Sequence, residues 1–482
     1  MLICIVLAIV ARSAAAQIRT GDTAWESGDF PAARAAYLRA LAEDPPAVRA
    51  LYRLGLLASW EDRLDSALVL LRRARAVDPE DPDVRYAEAL VLSWQGDFDG
   101  ASARYDSLLA DHPDRADARV GRANVRAWLG DWDAAATGYE VVLADDPSNP
   151  DALAGLGRLR LWEGRPSLAL EAADRALRAR PGHRDAGLLR RDARNALRTW
   201  LEPTLGWSDD SDENTALWQL LGASTSITDG VRGFVTLGML EAWDETLDAR
   251  RSLTEAGLTF ARGSVSLTGA LGVRSLEPDG GGGRLAWTGR ALAVWRAASR
   301  FTVGAGVAHY PFDETAFLIG QDIDITDVEA SADLRLAQGL VLGAGASQGW
   351  LSDDNERRAF VAALTKDLPK GFWVGAYGRW LGYDNAAIGY FSPDRYTIAE
   401  GRAGWNRTPS PWGWRLLAGL GAQWIGEGAS AQSEWRIDAR LIRLVGDATT
   451  IEAWGGWTNA AVSSTTGAYR YTTAGVTARI SL

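Results

Sequence analysis

A ten-residue stretch in the first half of the chain reads Leu92-Ser93-Trp94-Gln95-Gly96-Asp97-Phe98-Asp99-Gly100-Ala101, and its features recur at intervals of 34 residues. The recurring positions are Trp60, Trp94, Trp128 and Trp162; Ala33, Ala67, Ala101, Ala135 and Ala169; and Pro45, Pro79, Pro113, Pro147 and Pro181. A fixed period of this length is typical of a solenoid of stacked helical units. The sequence therefore predicts about five repeats over residues 17–181.

Each predicted repeat contains two stretches with apolar residues at helical spacing. Ala33, Tyr37, Ala40 and Leu41 form one such stripe, and the turn Gly28-Asp29-Phe30 precedes it. The prolines stand where the second helix of each unit must end. One position in each first helix is always small, which allows a neighbouring helix to approach closely; its occupants are Gly21, Gly55, Ala89, Ala123 and Gly157. Residues 182–199 are predicted to form a capping helix and linker.

These positions resemble the tetratricopeptide repeat family. In that family the first helix of each unit lines a concave groove, so the resemblance implies a groove position for Trp60, Trp94, Trp128 and Trp162. An aromatic ladder of this kind stacks on sugar rings or grips an extended peptide. The alternative is that each indole packs against the next unit and only supports stacking, and both interpretations remain open at this stage.

Beyond residue 200 the apolar spacing changes from helical to alternating. In Val265–Arg274 every second residue is Val, Leu or Gly, and Asp327–Leu336 and Glu434–Leu441 alternate apolar with charged residues. The segment 200–482 contains about 16 candidate strands; they start near residues 200, 215, 231, 251, 264, 285, 301, 325, 340, 358, 372, 396, 414, 433, 449 and 471. One face of each strand must contact a core or lipid.

The connections between these strands alternate between short turns and longer, mostly polar loops such as 311–322 and 384–394. This alternation predicts an antiparallel transmembrane β-barrel. One predicted turn, Arg407–Gly413, is longer than the others on its rim. A soluble β-sandwich or solenoid is the competing interpretation, and the number of strands argues against it.

Aromatic residues concentrate near the ends of the predicted strands, as in the girdles of membrane barrels. They are Trp207, Trp243, Trp295, Tyr310, Trp350, Trp380, Tyr383, Trp405, Trp412, Trp414, Trp424 and Trp457. Alternation also predicts which charged side chains line the lumen: Asp327, Glu329, Asp333, Arg335, Glu400, Arg402, Glu434, Arg436, Asp438 and Arg440. Because both signs are present, we expect no strong ion selectivity and a narrow or plugged lumen.

The N-terminal segment and the net charge restrict the class of protein to which the chain can belong. Residues 1–16 read as a secretory signal peptide, and the one cysteine, Cys4, lies inside it. A net charge of −11 over 482 residues argues against nucleic acid as a partner. No catalytic, cofactor or metal site is predicted: His112, His183 and His309 form no ligand group, and Gly280–Gly283 lies in a loop without the strand-then-helix context of a phosphate site.

A signal peptide, a repeat domain and a C-terminal barrel together resemble the YaiO family of outer-membrane proteins. The layout is also similar to that of the outer-membrane exporters of cellulose and poly-N-acetylglucosamine. The resemblance implies an outer-membrane protein, in contact with lipid, whose periplasmic repeats bind a protein partner or a polysaccharide without catalysis. The alternatives are an exopolysaccharide export porin and, third, a barrel enzyme acting on outer-membrane lipid.

Overall fold

The computed structural model describes residues 2–43, 46–298, 300–337, 339–387, 389–446, 449–460 and 470–482, with side chains from residue 13 onward and without those of 297–298. The chain divides into two compact units, residues 1–159 with 171–187 and residues 160–170 with 188–482. The predicted signal peptide covers residues 1–16, and the side chains of residues 1–12 lie outside the described set.

The first part of the chain is helical, as predicted from its 34-residue period. Its helices are α1 (Leu2–Glu26), α2 (Phe30–Glu43), α3 (Val48–Trp60), α4 (Leu64–Val77), α5 (Pro82–Gln95), α6 (Phe98–Asp111), α7 (Ala116–Trp128), α8 (Trp132–Asp145), α9 (Pro150–Trp162), α10 (Pro166–Ala179) and α11 (Arg184–Leu197). The second helices α4, α6, α8 and α10 all end within two residues of a repeat proline. No helix in the described part of the chain combines the length and apolarity needed to cross a bilayer.

The small position of each first helix is buried in all five repeats, at Gly21, Gly55, Ala89, Ala123 and Gly157. At Gly21 and Gly55, which have no Cβ, a large side chain from a second helix occupies the space that a Cβ would need. A Cβ added at Gly21 would lie 2.6 Å from the ring of Tyr37, and one at Gly55 would lie 2.9 Å from Leu71. Close packing of helix on helix therefore depends on these residues.

Adding one methyl group at such a contact is expected to destabilise the repeats. A Cβ at Gly121 in α7 would lie 2.5 Å from the ring of Tyr105, which is fully buried and has no free space to move into. We expect Gly121→Ala to lower the free energy of unfolding by about 1–3 kcal/mol. Chemical denaturation of the full-length protein, followed by helical circular dichroism, measures the change.

Gly187 provides the matched control for that substitution. It also lies inside a helix, α11, but nothing lies within 4 Å of a Cβ added there. Gly187→Ala is therefore expected to leave stability unchanged or to raise it by up to about 1 kcal/mol through helix propensity. Equal losses in the two variants would contradict the packing explanation.

The second part of the chain is a closed antiparallel barrel of 16 strands. The strands are β1 (Trp200–Asp210), β2 (Thr215–Thr228), β3 (Val231–Trp243), β4 (Asp248–Arg262), β5 (Val265–Pro278), β6 (Arg284–Ala298), β7 (Phe301–Pro311), β8 (Asp324–Ala337), β9 (Leu340–Leu351), β10 (Glu356–Asp367), β11 (Phe372–Tyr383), β12 (Tyr396–Arg407), β13 (Trp412–Ile425), β14 (Gln432–Val445), β15 (Thr449–Thr458) and β16 (Tyr471–Ser481). Each strand pairs with its neighbours in sequence, and β1 pairs with β16 to close the cylinder.

The two rims of the barrel differ in the length of their connections. One rim carries short turns such as 229–230 and 263–264, and the other carries long loops such as 312–323 and 384–395. The turn predicted over Arg407–Gly413 is shorter in the structure, residues 408–411, because strand pairing continues to Arg407 and resumes at Trp412. It has the same length as turn 368–371, so the prediction that it is the longest turn of its rim is wrong.

The outer face of the barrel is apolar and exposed. In β5 the odd-numbered residues point outward, and Leu271 is 70% exposed there; in β13 the even-numbered residues do so, and Leu420 is 73% exposed. Side chains of alternate residues are more buried on the opposite face. This is the pattern of a barrel whose outer wall contacts lipid. Two aromatic residues predicted for the girdle, Tyr310 and Tyr383, instead point into the lumen, where they pack in a buried cluster.

Candidate functional site

The ten charged residues predicted for the lumen lie on the inner face of the barrel. The apolar residues Val328 and Leu334 of β8 are exposed on the outer face of the barrel, as are Ile437 and Leu441 of β14. The charged residues that alternate with them therefore point inward. The inward set is Asp327, Glu329, Asp333, Arg335, Glu400, Arg402, Glu434, Arg436, Asp438 and Arg440. Glu400 and Glu434 are the two that are buried.

Acids and arginines pair along this inner wall. The pairs are Arg357–Asp327 (2.7 Å), Arg436–Asp438 (2.6 Å), Arg440–Glu452 (2.7 Å) and Arg290–Glu255 (2.8 Å). Arg402 donates to Glu400 and stacks over Tyr377, with its guanidinium carbon 3.4 Å from the ring centroid. Because opposite charges neutralise one another both within a strand and between strands, neither sign dominates the wall.

A loop folded into the lumen is the main feature that sequence reasoning missed. The connection 312–323 between β7 and β8 contains a short helix, α12 (Ala316–Ile319). The Thr315 hydroxyl caps this helix by accepting from the Leu318 N–H. Ala316 and Ile319 pack against inward-facing apolar residues from five consecutive strands: Ala216, Leu240, Ala242, Ala249, Leu276 and Ala286. The loop thus lies against the inner wall at the rim of long loops and narrows the lumen there.

A buried carboxylate holds this loop in place. Asp313 is 2% exposed, and its carboxylate accepts hydrogen bonds from Arg251 on β4 at 3.0 Å and from Arg274 on β5 at 2.8 Å. A buried carboxylate is tolerated only when cations and hydrogen bonds replace its water, and breaking such a pair from one side costs roughly 3–5 kcal/mol. Asp313 therefore ties the inserted loop to the inner wall of the barrel.

A second loop, residues 384–395 between β11 and β12, packs against the inserted loop 312–323. Tyr390 contacts Phe312 of the first loop with ring centroids 5.2 Å apart. The Tyr390 hydroxyl donates to Asp353 at 2.8 Å and accepts from the Asn355 amide at 2.9 Å. Burial, together with Asp353, raises the pKa of Tyr390, so its phenol stays protonated and able to donate. The two loops form one packed body at this end of the barrel.

One feature of the sequence indicates that these two loops fold inward. Both loops are long, with 12 residues between their strands, and both carry apolar residues, among them Phe312, Ala316–Ile319 and Phe391, where exposed loops are usually polar. Long loops with apolar residues need a surface to bury them. Alternation shows which strand residues face inward, but it contains no information on a loop that folds back among them.

The four periodic tryptophans lie at or next to the ends of first helices. Trp60, Trp94 and Trp162 are exposed, at 53%, 45% and 39%, whereas Trp128 is half-buried. Trp60 contacts Phe30 at 5.3 Å and Trp128 contacts Phe98 at 5.7 Å, each on the preceding repeat. Trp60 and Trp128 thus pack between repeats, and Trp60, Trp94 and Trp162 keep a large exposed surface. Binding of a ligand by these indoles stays a prediction.

The histidines have structural contacts. His183 accepts a hydrogen bond from the Ala186 N–H through Nδ1, and its Nε2 lies 2.9 Å from Asp151. His309 stacks on Trp287 at 3.9 Å and bonds to Thr326 at 2.9 Å, and His112 ends α6. Among the described residues, no group of three His, Cys, Asp or Glu side chains is arranged to hold a metal ion.

Comparison with known proteins identifies the helical part. One tetratricopeptide repeat model matches residues 24–91 and 129–192, and a second tetratricopeptide repeat model matches residues 86–140. The N-terminal region therefore consists of tetratricopeptide repeats. No curated protein matches the chain.

Solved structures to which parts of this chain are similar include one described as a bacterial polysaccharide outer membrane secretin. It is 12% identical, with a TM-score of 0.49, over 59% of this chain and 99% of the other. YrrB, a TPR protein with an unusual peptide-binding site, is 23% identical over 36% of this chain and 89% of its own, with a TM-score of 0.29. PilW, a type IV pilus biogenesis factor, is 20% identical over 38% and 86%, with a TM-score of 0.35.

Proposed function

We propose that the protein is a non-enzymatic outer-membrane protein whose repeats bind a protein partner at the cell envelope. The observation that carries this proposal is the inserted loop 312–323, which occupies the lumen and is tied to its wall through Asp313. A barrel filled in this way serves better as a membrane anchor for the repeat domain than as a conduit. Membership of the YaiO family, whose layout the chain resembles, is part of the same proposal.

The orientation that we propose follows from the direction of the strands. β1 begins at Trp200 on the rim that carries the short turns. In outer-membrane barrels the short turns face the periplasm and the long loops face outward. Because the repeats precede β1 in the chain, they would then lie in the periplasm, and the lipid of the outer membrane would surround the barrel.

The partner surface that we propose includes the exposed indoles Trp60 and Trp94. Large exposed aromatic side chains are the residue type most often found at binding hot spots. Substituting both by alanine in the full-length protein is expected to reduce recovery of a cross-linked envelope partner by about tenfold or more. Cross-linking in intact cells, followed by purification and mass spectrometry of the bound proteins, measures this.

The matched control replaces two exposed apolar residues of second helices, Leu38 and Val69, by alanine. This control is expected to keep the partner. If W60A/W94A retains the partner as fully as the control variant does, or loses it only together with its helical content, the indoles belong to repeat packing and the proposed surface is wrong.

A second candidate function is export of an exopolysaccharide, and the exposed faces of Trp60, Trp94 and Trp162 favour it because an indole stacks well on a sugar ring. This function needs an open lumen. Planar-bilayer recordings on the purified protein separate the two candidates. Steady currents that added oligosaccharide blocks would support export, whereas a barrel with little conductance fits the anchor.

A further inference from the structure

The outer wall of the barrel carries a groove next to a group of aromatic and basic residues. The groove lies on β12–β15 and has a volume of about 490 Å³. Its lining includes Trp405, Trp414, Leu416, Ala439, Leu441 and Ala453. These residues continue the outward-facing apolar pattern of their strands, so the groove opens toward the lipid and has the shape and chemistry to hold an acyl chain.

Two arginines stand at the end of this groove nearest the short turns. Arg407 follows Trp405 by two residues on the outer face of β12, and its guanidinium lies 4.8 Å from the ring centroid of Trp414. Arg443 follows Leu441 in the same way on β14 and lies 4.9 Å from the ring of Trp412. Stacking on an indole holds each guanidinium in place while its N–H groups stay available. Both arginines are exposed, and within the described ranges neither forms an ion pair with a carboxylate.

An unsatisfied donor points to the same place. The indole N–H of Trp414, which lines the groove, is buried and has no acceptor among the described residues. The neighbouring Trp405 N–H donates to the Lys370 carbonyl at 3.2 Å. A buried donor without a partner costs stability, and an ester or phosphate oxygen of a lipid would supply the acceptor.

The two arginines distinguish this groove from a larger one on the same wall. A larger apolar groove of about 850 Å³, lined by Leu205, Leu221 and Leu237, has no arginine in its lining. Any acyl chain fits such a surface, whereas the groove on β12–β15 pairs apolar walls with two arginines at the level where lipid headgroups lie.

We infer that this groove binds one anionic phospholipid of the leaflet that faces the short turns, with its phosphate between Arg407 and Arg443 and one acyl chain along Leu416 and Leu441. The inference rests on the proposal that the barrel spans a membrane. Lys370 lies in the adjoining turn and adds a third positive charge to the same rim.

Native mass spectrometry of the full-length protein tests the site. The detergent-solubilised protein is titrated with phosphatidylglycerol or with phosphatidylcholine of the same acyl chains. We expect phosphatidylglycerol to bind more tightly, and R407Q/R443Q to weaken its binding by roughly thirtyfold, since each arginine near a headgroup contributes about 1 kcal/mol. W414F replaces the indole by a smaller aromatic ring without a donor, so we expect about a fivefold loss.

The matched control is R250Q/R358Q, which removes two outward-facing arginines from the opposite rim and is expected to bind phosphatidylglycerol as the wild type does. Equal binding of the two lipids, or wild-type binding by R407Q/R443Q, would overturn the site. Insertion into phosphatidylcholine vesicles, followed by flotation and by heat-dependent gel mobility, is measured in parallel. Insertion without lipid preference refutes this site alone, whereas failure to insert refutes the membrane location and the site with it.

Discussion

Removal of the inserted loop is expected to convert a poorly conducting barrel into an open channel. A barrel of 16 strands encloses a water-filled channel unless something occupies it, and the segment 312–323 packs on the inner wall and narrows the channel here. Replacing residues 313–322 by two glycines should therefore raise single-channel conductance by about tenfold or more. The measurement is a planar-bilayer recording on purified wild-type and variant proteins under the same salt conditions.

Two further variants show whether the loop itself is responsible. Deleting Gly280–Gly282 shortens another loop of the same rim, where nothing lies within 4 Å of an added Cβ, and should leave conductance unchanged. Asp313→Asn keeps the shape of the side chain but leaves Arg251 and Arg274 without their buried counter-charge, so we expect intermittent openings. Wild-type conductance in the loop replacement would show that other residues close the lumen.

Truncation of a buried tyrosine is expected to have the largest effect on the repeats. Tyr139 is 2% exposed, and a Cβ added at Gly155 of the next repeat would lie 2.4 Å from its ring. Tyr139→Ala leaves a ring-sized cavity between α8 and α9, which typically costs about 3–5 kcal/mol. Denaturant unfolding of the full-length protein, followed by circular dichroism at a helical wavelength, should show the helical transition at clearly lower denaturant.

Tyr139→Phe separates packing from hydrogen bonding. It keeps the ring but removes the hydroxyl that donates to the Asn124 side chain at 2.6 Å. The expected loss is about 1 kcal/mol, the usual net value of one hydrogen bond. If the phenylalanine and alanine variants were equally destabilised, the hydrogen bond and not the ring would hold the repeats together.

The elements that could be predicted from sequence are those with a local period. A 34-residue interval follows from units that repeat the same contacts, and alternation follows from strands with one lipid-facing side. The predicted strand start near residue 251 therefore differs from the observed Asp248 by only three residues, and the start near 414 differs from Trp412 by two. Errors of this size arise because alternation shows which residues share a face but does not show at which residue strand pairing begins.

The inserted loop could not be predicted, because its contacts are not local. Asp313 and Arg251 are 62 positions apart, and no pattern in either segment indicates the other. Tyr310 and Tyr383 illustrate the same limit, since an aromatic ring near a strand end suits both a lipid interface and a packed lumen. For the periodic tryptophans, spacing showed a shared structural position, but it did not show how much of each ring stays exposed.

The pairing of β1 with β16 determines when the barrel can close during folding. Thr204 on β1 and Thr477 on β16 lie 3.0 Å apart, although 273 positions separate them in the sequence. Until β16 has been synthesised, β1 has no partner on one side, and the growing sheet exposes unpaired N–H and C=O groups that are templates for aggregation. We therefore expect the chain to be prone to aggregation until β16 pairs with β1, because closure of the barrel is the step that removes these unpaired edges.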